Sequence, residues 1–316
     1  MQEYRKITCK SACTKTKRIM PYKWDLNIYR GCEHRCKYCY ALYSHKYLES
    51  NYEGIVNGNE ADSNKFFNNI YIKTNIAEEL DKQLSKPSWK NEMIAIGTVT
   101  DSYQPIERKY ELMREVLEVL IKHKNPAVIS TKSDLILRDL DLIDELSKLN
   151  FINIAVSISS LDENIRGVIE PNTIPSKERL KVLGIVRSQT NASTGIHFMP
   201  IIPHLTDSYE HIDAVFKNAE RYDIPTVLFG PLNLFGKTRG TFLNSMKNDF
   251  PEVYRDILRK YQKGRVDRTY SKDLFNKIKK IRTNYNVETN YIKIIKEKLV
   301  YYEKEEDSKQ STLFDY

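Results

Sequence analysis

The chain has 316 residues, 41% of them hydrophobic, with 50 Lys and Arg against 42 Asp and Glu. That length and apolar share suit one core of roughly 200–250 residues plus an appendage, and they exclude wholesale disorder. No apolar run reaches the ~18 residues that would suggest a membrane span, and the N-terminal stretch is polar, so neither a span nor a signal peptide is expected and the expected address is cytoplasmic.

Residues 1–23 read as a lead segment carrying Cys9 and Cys13. From 24 to 236 short apolar runs alternate with amphipathic stretches. Strands are expected over 24–29, 93–99, 127–131, 152–158, 194–200 and 226–230. Helices are expected around Met113, Val116, Leu117 and Leu120, over 134–149 with Ser133 as N-cap, and over 176–188 and 208–221. Strands alternating with helices imply parallel βα units. Six units are too few for a closed eightfold barrel, so the fold class is α/β, a partial (β/α)6 barrel, with ligands at the carboxyl ends of its strands. The stretch 51–92 reads as an elaboration, with a loop at Asn57, Gly58 and Asn59 and a helix over 75–84.

Residues 237–302 read as a helical, basic C-terminal extension. Between 255 and 298 there are fourteen Lys and Arg against five Asp and Glu, as on a polyanion-binding face or a solvated helix surface. The rest, 303–316, begins with a charged stretch and reads as a flexible tail.

Cys32, Cys36 and Cys39 crowd into eight residues directly after the first expected strand. Such crowding in a reducing compartment indicates a metal site rather than a disulfide framework. Three thiolates can hold three irons of a cubane and leave the fourth open to a substrate. Zinc held by the thiolates and His34 is the alternative, although His34 sits with one residue between it and Cys32 and one before Cys36, a strained spacing for tetrahedral closure.

With Tyr38 before the last cysteine, this run resembles the signature of the radical S-adenosylmethionine (SAM) superfamily. The string from Asn27 through Ala41 is similar to its spore photoproduct lyase-like branch, whose members are often described as DNA repair photolyase-like. Thr100-Asp101-Ser102-Tyr103-Gln104-Pro105-Ile106-Glu107, Ser130-Thr131-Lys132-Ser133, Glu170-Pro171 and Arg179-Leu180 extend the resemblance, which covers about 11–236.

The resemblance implies an enzyme with a [4Fe-4S] cluster on the three cysteines and S-adenosyl-L-methionine chelating its open iron. Reductive cleavage would release a 5′-deoxyadenosyl radical that takes hydrogen from the substrate. It assigns the SAM ammonium to the region of Thr98, Thr100 and Asp101, and the SAM carboxylate to Lys132. Ser157 and Ser159 are candidates for the ribose or carboxylate, and Tyr38 with the backbone of 227–230 for the adenine. Tyr40, which follows the third cysteine, is the candidate catalytic residue. Arg166 and Glu170 are rim candidates, with an ordinary ion pair as the alternative. His197 and His204 flank the fifth strand end as substrate contacts or as structural histidines. Two departures stand out: Asn172 occupies a place where the branch usually has Arg, and 97–100 lacks the hydrogen-donating cysteine of true spore photoproduct lyases.

Repair or modification of a DNA base is the favoured function. An enzyme acting on RNA or a peptide, and a non-catalytic iron–sulfur protein binding nucleic acid, are the alternatives. The expected partners are nucleic acid, an electron donor and no membrane. Gln310, Leu313 and Phe314 also match the Gln-x-x-Leu-Phe form of peptides that dock on the bacterial DNA polymerase sliding clamp.

Overall fold

A computed structural model of the chain describes residues 2–17, 20, 22–47, 63–261, 263–300 and 302. The loop expected at 57–59 and the peptide 310–314 lie outside the described residues. The described residues form ten strands: β1 Glu3–Ile7, β2 Cys13–Lys15, β3 Trp24–Leu26, β4 Tyr29–Arg30, β5 Asn69–Lys73, β6 Ile94–Ile96, β7 Ala127–Thr131, β8 Ile152–Ser157, β9 Ser193–Ile201 and β10 Thr226–Pro231.

The main sheet has the order β10-β9-β8-β7-β6-β3-β2. Its six strands from β10 to β3 are mutually parallel, and β2 pairs antiparallel with β3 at the edge. This is the expected partial barrel. Strand alternation divides its faces. Ile94, Ile96, Ile129, Ile154, Val156, Ile196, Phe198 and Val227 join the large core under the helices. Ala95, Val128, Ser130, Ser157, His197 and Met199 line a cavity on the other face.

The helices follow the apolar periodicity. Leu112–Lys122 buries Leu112, Met113, Val116, Leu117 and Leu120, and Leu140–Leu149 buries Leu142, Ile143 and Leu146. Ser133 accepts the Leu135 amide at 3.2 Å, but it opens a 3-10 turn, Leu135–Asp139, rather than the helix itself.

Two features were not expected. First, β1, β5 and β4 form a separate sheet, with β5 inside the stretch read as an elaboration. It delivers the chain into the cysteine loop at Gly31, where φ is +85° and a Cβ would stand 2.5 Å from Asn69 O. Only glycine meets both demands. Second, the extension is split among three places, with Leu274, Ile278 and Ile281 joining the main core. Phe242, Met246, Ile257 and Tyr261 pack in one cluster with Cys36 and Tyr38. Tyr291 and Ile295 instead close the amino end of the barrel against Met93, Val128 and Phe151, with Tyr22 and Leu228 alongside. No helix among the described residues is long and apolar enough to cross a membrane.

Candidate active site

The cysteine loop runs across the carboxyl ends of the strands and is tied down on both sides. Thr100 Oγ1 donates to Gly31 O at 2.5 Å, and Gln104 Nε2 to the same carbonyl at 3.3 Å. The Glu33 amide donates to Gln104 Oε1 at 3.0 Å, while Glu33 Oε1 accepts the Ile106 amide at 3.0 Å. His34 Nε2 lies 3.0 Å from Asp101 Oδ2. On the opposite side Asn172 Nδ2 donates to Glu33 O at 2.9 Å, Lys37 N to Ile169 O at 2.9 Å, and Thr238 Oγ1 to Cys39 O at 2.7 Å.

Asp101 organises one wall. Besides His34, it accepts from Thr131 Oγ1, Lys132 N and Tyr103 N at 2.8, 2.8 and 2.9 Å. Burial alone would raise its carboxyl, but His34 and these donors outweigh burial and hold it down at about 2. Glu170 organises the other wall. Tyr38 and Ser159 both donate to its Oε1, and fully buried Arg179 stands 2.6 Å from Oε2. Here too burial pushes the carboxyl up, and the Arg179 and Lys132 charges bring it down to about 2. Arg179 also donates to Ser157 O at 2.8 Å, which fixes the end of β8.

Between these walls lies a cavity of about 400 Å³, lined by Cys32, Cys36, Cys39, Tyr38, Tyr40, Thr98, Thr100, Asp101, Lys132 and Ser157 among others. Its size suits a small molecule. Burial pushes all three thiols up, Cys36 to about 12. Ionising them therefore needs a compensating positive centre such as a metal. His34, the fourth donor a zinc site would need, has both ring nitrogens engaged, by Asn172 O at 3.1 Å and Asp101 Oδ2 at 3.0 Å, which disfavours zinc. A cubane instead takes each thiolate on a separate iron, so the donor set and the cavity beside it fit a cluster.

Lys132 Nζ makes no hydrogen bond to a described residue and faces the cavity. Burial lowers its pKa, but Cys36 and Glu170 more than offset this, leaving it above the ordinary lysine value and the ammonium charged. Thr98 Oγ1 accepts from Asn27 Nδ2 at 3.1 Å, and Tyr40 donates to Thr98 O at the mouth.

The cavity thus gathers the three cysteines, Tyr38, Tyr40, Thr98, Thr100, Asp101, Lys132 and Ser157. The backbone of 227–230 does not line it, and neither does Ser159, whose hydroxyl is spent on Glu170 at 2.7 Å. Thr100 and Asp101 line it but are largely engaged in holding the cysteine loop. Arg166 and Glu170 are structural: Arg166 donates to Glu170 O and Thr173 O at 3.0 and 3.1 Å. Exposed His204 lies off the cavity, whereas His197 lines it. Gln104, Asn172 and Thr238 were not singled out as site residues. Gln104 lay inside a matched string, Asn172 marked a departure, and Thr238 acts from 199 residues away with no local signal.

Comparison with known proteins agrees with this geometry. The family model described as the radical SAM superfamily matches residues 26–216. An uncharacterised protein of Mycobacterium tuberculosis is 33% identical over 264 residues, 81% of this chain and 74% of its own length. An uncharacterised protein of Methanocaldococcus jannaschii is 29% identical over 278 residues, 88% of this chain and 94% of its own. Spore photoproduct lyase complexed with dinucleoside spore photoproduct superposes with a TM-score of 0.62 at 14% identity, over 91% of this chain and 82% of that one. A mutant of that lyase with bound AdoMet and the same dinucleoside gives 0.63 at 13% identity, over 92% and 82%. At such identities the structural likeness is one of fold.

Proposed function

The chain belongs to the radical SAM superfamily, and on that footing we propose that it repairs or modifies a base in DNA by abstracting a hydrogen atom. Enzymes of this family use a [4Fe-4S] cluster and SAM. When bound, that pair supplies one-electron cleavage of SAM and a 5′-deoxyadenosyl radical. Everything else falls to the protein: binding, orienting and excluding water.

One observation carries the reading. A single cavity at the carboxyl ends of parallel strands holds three thiols and the Lys132 ammonium. Cys32, Cys36 and Cys39 would hold the cluster. Lys132 would meet the SAM carboxylate as a point charge, Thr98 and Ser157 offer hydroxyls to its polar groups, and Tyr38 walls the site beneath. Asp101 would act mainly by fixing the loop and the end of β7. Tyr40, 59% exposed at the mouth, would serve as the hydrogen-transfer partner, a role that takes on added weight because 97–100 holds no cysteine.

Two things support DNA as substrate: the basic surplus of 255–298 and the fold shared with a lyase whose structure holds a dinucleoside lesion. Residues 237–302 would serve as the nucleic-acid-facing extension, and Gln310, Leu313 and Phe314 would dock on a sliding clamp. The test is anaerobic incubation with SAM, a reductant and ultraviolet-treated or untreated DNA or RNA, followed by mass spectrometry of nucleosides and 5′-deoxyadenosine. SAM-dependent change in a DNA nucleoside is expected. Change in RNA alone, or in neither, removes DNA from the reading.

A further inference from the structure

One polar side chain lining the cavity, His197, has no role in the reading given above. Alternation turns Ser130, Ala155 and His197 to the same face on adjacent strands β7, β8 and β9. The register sets Ser130 beside Ala155 and His197 beside Ser157, and these two small β8 residues let Ser130 Oγ and His197 Nδ1 meet across the strand at 3.2 Å. The His197 ring is 7% exposed and packs edge-on against Tyr291, with centroids 5.8 Å apart. Its Nε2 is buried with no hydrogen-bond partner among the described residues. Ser130 and His197 line the same cavity as the three thiols.

A buried ring nitrogen left unmet is costly, and it calls for a partner. No described residue supplies it: Tyr291 packs against one edge of the ring, and the residue borders the cavity. Burial, helped by the nearby Lys132 charge, holds the imidazole down at about 4, so the ring is neutral at physiological pH. The Ser130 hydroxyl can donate to Nδ1 or accept from it, which leaves Nε2 free to act as donor or acceptor. Such a neutral, two-way group suits the carbonyl and ring-nitrogen edge of a heterocycle. It suits an anion poorly, and Lys132 already serves an anion near the rim.

We propose that His197, set by Ser130, anchors the substrate's reacting group inside the barrel, and that this group is the edge of a neutral nucleobase. The inference rests on the reading of the substrate as nucleic acid. Ala95 and Ser130 are small, which leaves space at this depth, while Val128 and Met199 offer apolar surface to a flat ring. Holding that edge fixes which hydrogen faces the rim, where the thiols and Lys132 lie. An enzyme without the anchor still cleaves SAM, but it couples cleavage to product poorly.

The test uses reconstituted wild-type protein and the His197→Ala and His197→Gln variants, accepted when iron content and melting temperature match. Each is titrated calorimetrically under anaerobic conditions with thymidine, deoxycytidine, deoxyadenosine and deoxyguanosine, with a short single-stranded oligonucleotide, and with SAM. At least one nucleoside should bind the wild type, His197→Ala should weaken it tenfold or more, and His197→Gln should restore most of the loss. SAM affinity should stay within twofold throughout. Nucleoside affinity indifferent to His197→Ala, or SAM affinity that falls with it, overturns the anchor and leaves the nucleic-acid reading standing. Wild type that binds the oligonucleotide but no nucleoside also overturns the anchor. Binding of neither overturns the nucleic-acid reading itself.

Discussion

His34 Nε2 stands 3.0 Å from Asp101 Oδ2, both side chains buried, and this contact joins the cysteine loop to the end of the neighbouring strand. Asp101→Asn keeps the size but loses the charge and one acceptor, so the loop should loosen rather than the fold fail. Anaerobically reconstituted wild type should hold about four irons. Asp101→Asn should release them to a chelator severalfold faster, and Cys32→Ala, Cys36→Ala and Cys39→Ala together should abolish iron binding. Cys9→Ala with Cys13→Ala should leave iron content unchanged, because those thiols lie in the main core beneath the sheet. Unchanged iron release in Asp101→Asn, accompanied by weaker SAM binding, would return Asp101 to the role of ammonium acceptor.

The Glu170–Arg179 pair makes stability acid-sensitive. Glu170 is depressed from an ordinary 4.5 to about 2, so its contribution is fully present above about pH 4.5. It is lost as pH falls through 2. The shift corresponds to roughly 3 kcal/mol. Denaturant melts of the cluster-free protein at pH 6, 4 and 2.5 should show that loss, and Glu170→Gln should be less stable at pH 6 with a flatter pH dependence. Parallel pH profiles would remove Glu170 as the source.

Much of this architecture was legible because burial on both faces writes itself as apolar runs. β7, β8, β9 and β10 are rich in Ile, Val and Phe, and the helices above them carry the 3.6-residue stripe. β1 was not legible. Its sequence, Glu-Tyr-Arg-Lys-Ile, is almost wholly exposed, and it is a strand only because β5 offers a parallel edge. The three cysteines announced themselves by spacing. The duties of Thr100, Gln104 and Asp101 did not, because each acts on a backbone or ring some 70 residues earlier, and no local pattern encodes such a partner. Ser159 sat where a strand-end ligand belongs, yet the side chain facing it is Glu170, which draws its hydroxyl away from the cavity.

Nucleic acid binding by 255–298 should be salt-dependent and largely indifferent to sequence. The helix Arg268–Arg282 buries Leu274, Ile278 and Ile281 and leaves Lys272, Lys279 and Lys280 exposed. Lys277 is half-buried and donates to Asp207 O at 2.7 Å, so it is a poor probe. Lys272→Glu, Lys279→Glu and Lys280→Glu together should flatten the slope of log K against log salt for a duplex oligonucleotide. An unchanged slope would assign the surplus to an ordinary solvated face.

Docking through Leu313 and Phe314 is a separate matter. Burying both in a partner's pocket gives roughly 3–6 kcal/mol before ordering costs, enough for weak affinity. Titrating a purified bacterial sliding clamp should show binding by wild type that Leu313→Ala with Phe314→Ala abolishes. Equal affinity in both would remove the clamp from the set of partners.

Lys132 gives the sharpest test of how the cavity meets SAM. Its backbone nitrogen is pinned to Asp101 at 2.8 Å, so the side chain starts from a fixed point, and its ammonium reaches the cavity with no hydrogen bond to a described residue. A charged donor placed this way gains its main partner only when a carboxylate arrives. A hydrogen bond to a charged group is worth about 1.5–3 kcal/mol, so Lys132→Ala should weaken SAM binding roughly 10- to 100-fold. Lys132→Met, which keeps the bulk without the charge, should behave the same, showing that charge rather than packing is lost. Iron content should match wild type in both variants, because cysteine thiolates, not the ammonium, hold the cluster. Isothermal titration with SAM, together with the rate of 5′-deoxyadenosine release under reducing conditions, reads both quantities. If Lys132→Met keeps the wild-type affinity while Lys132→Ala loses it, the side chain serves the cavity as filler. If iron is lost along with SAM, the ammonium is instead neutralising the Cys36 thiolate and the carboxylate has another partner.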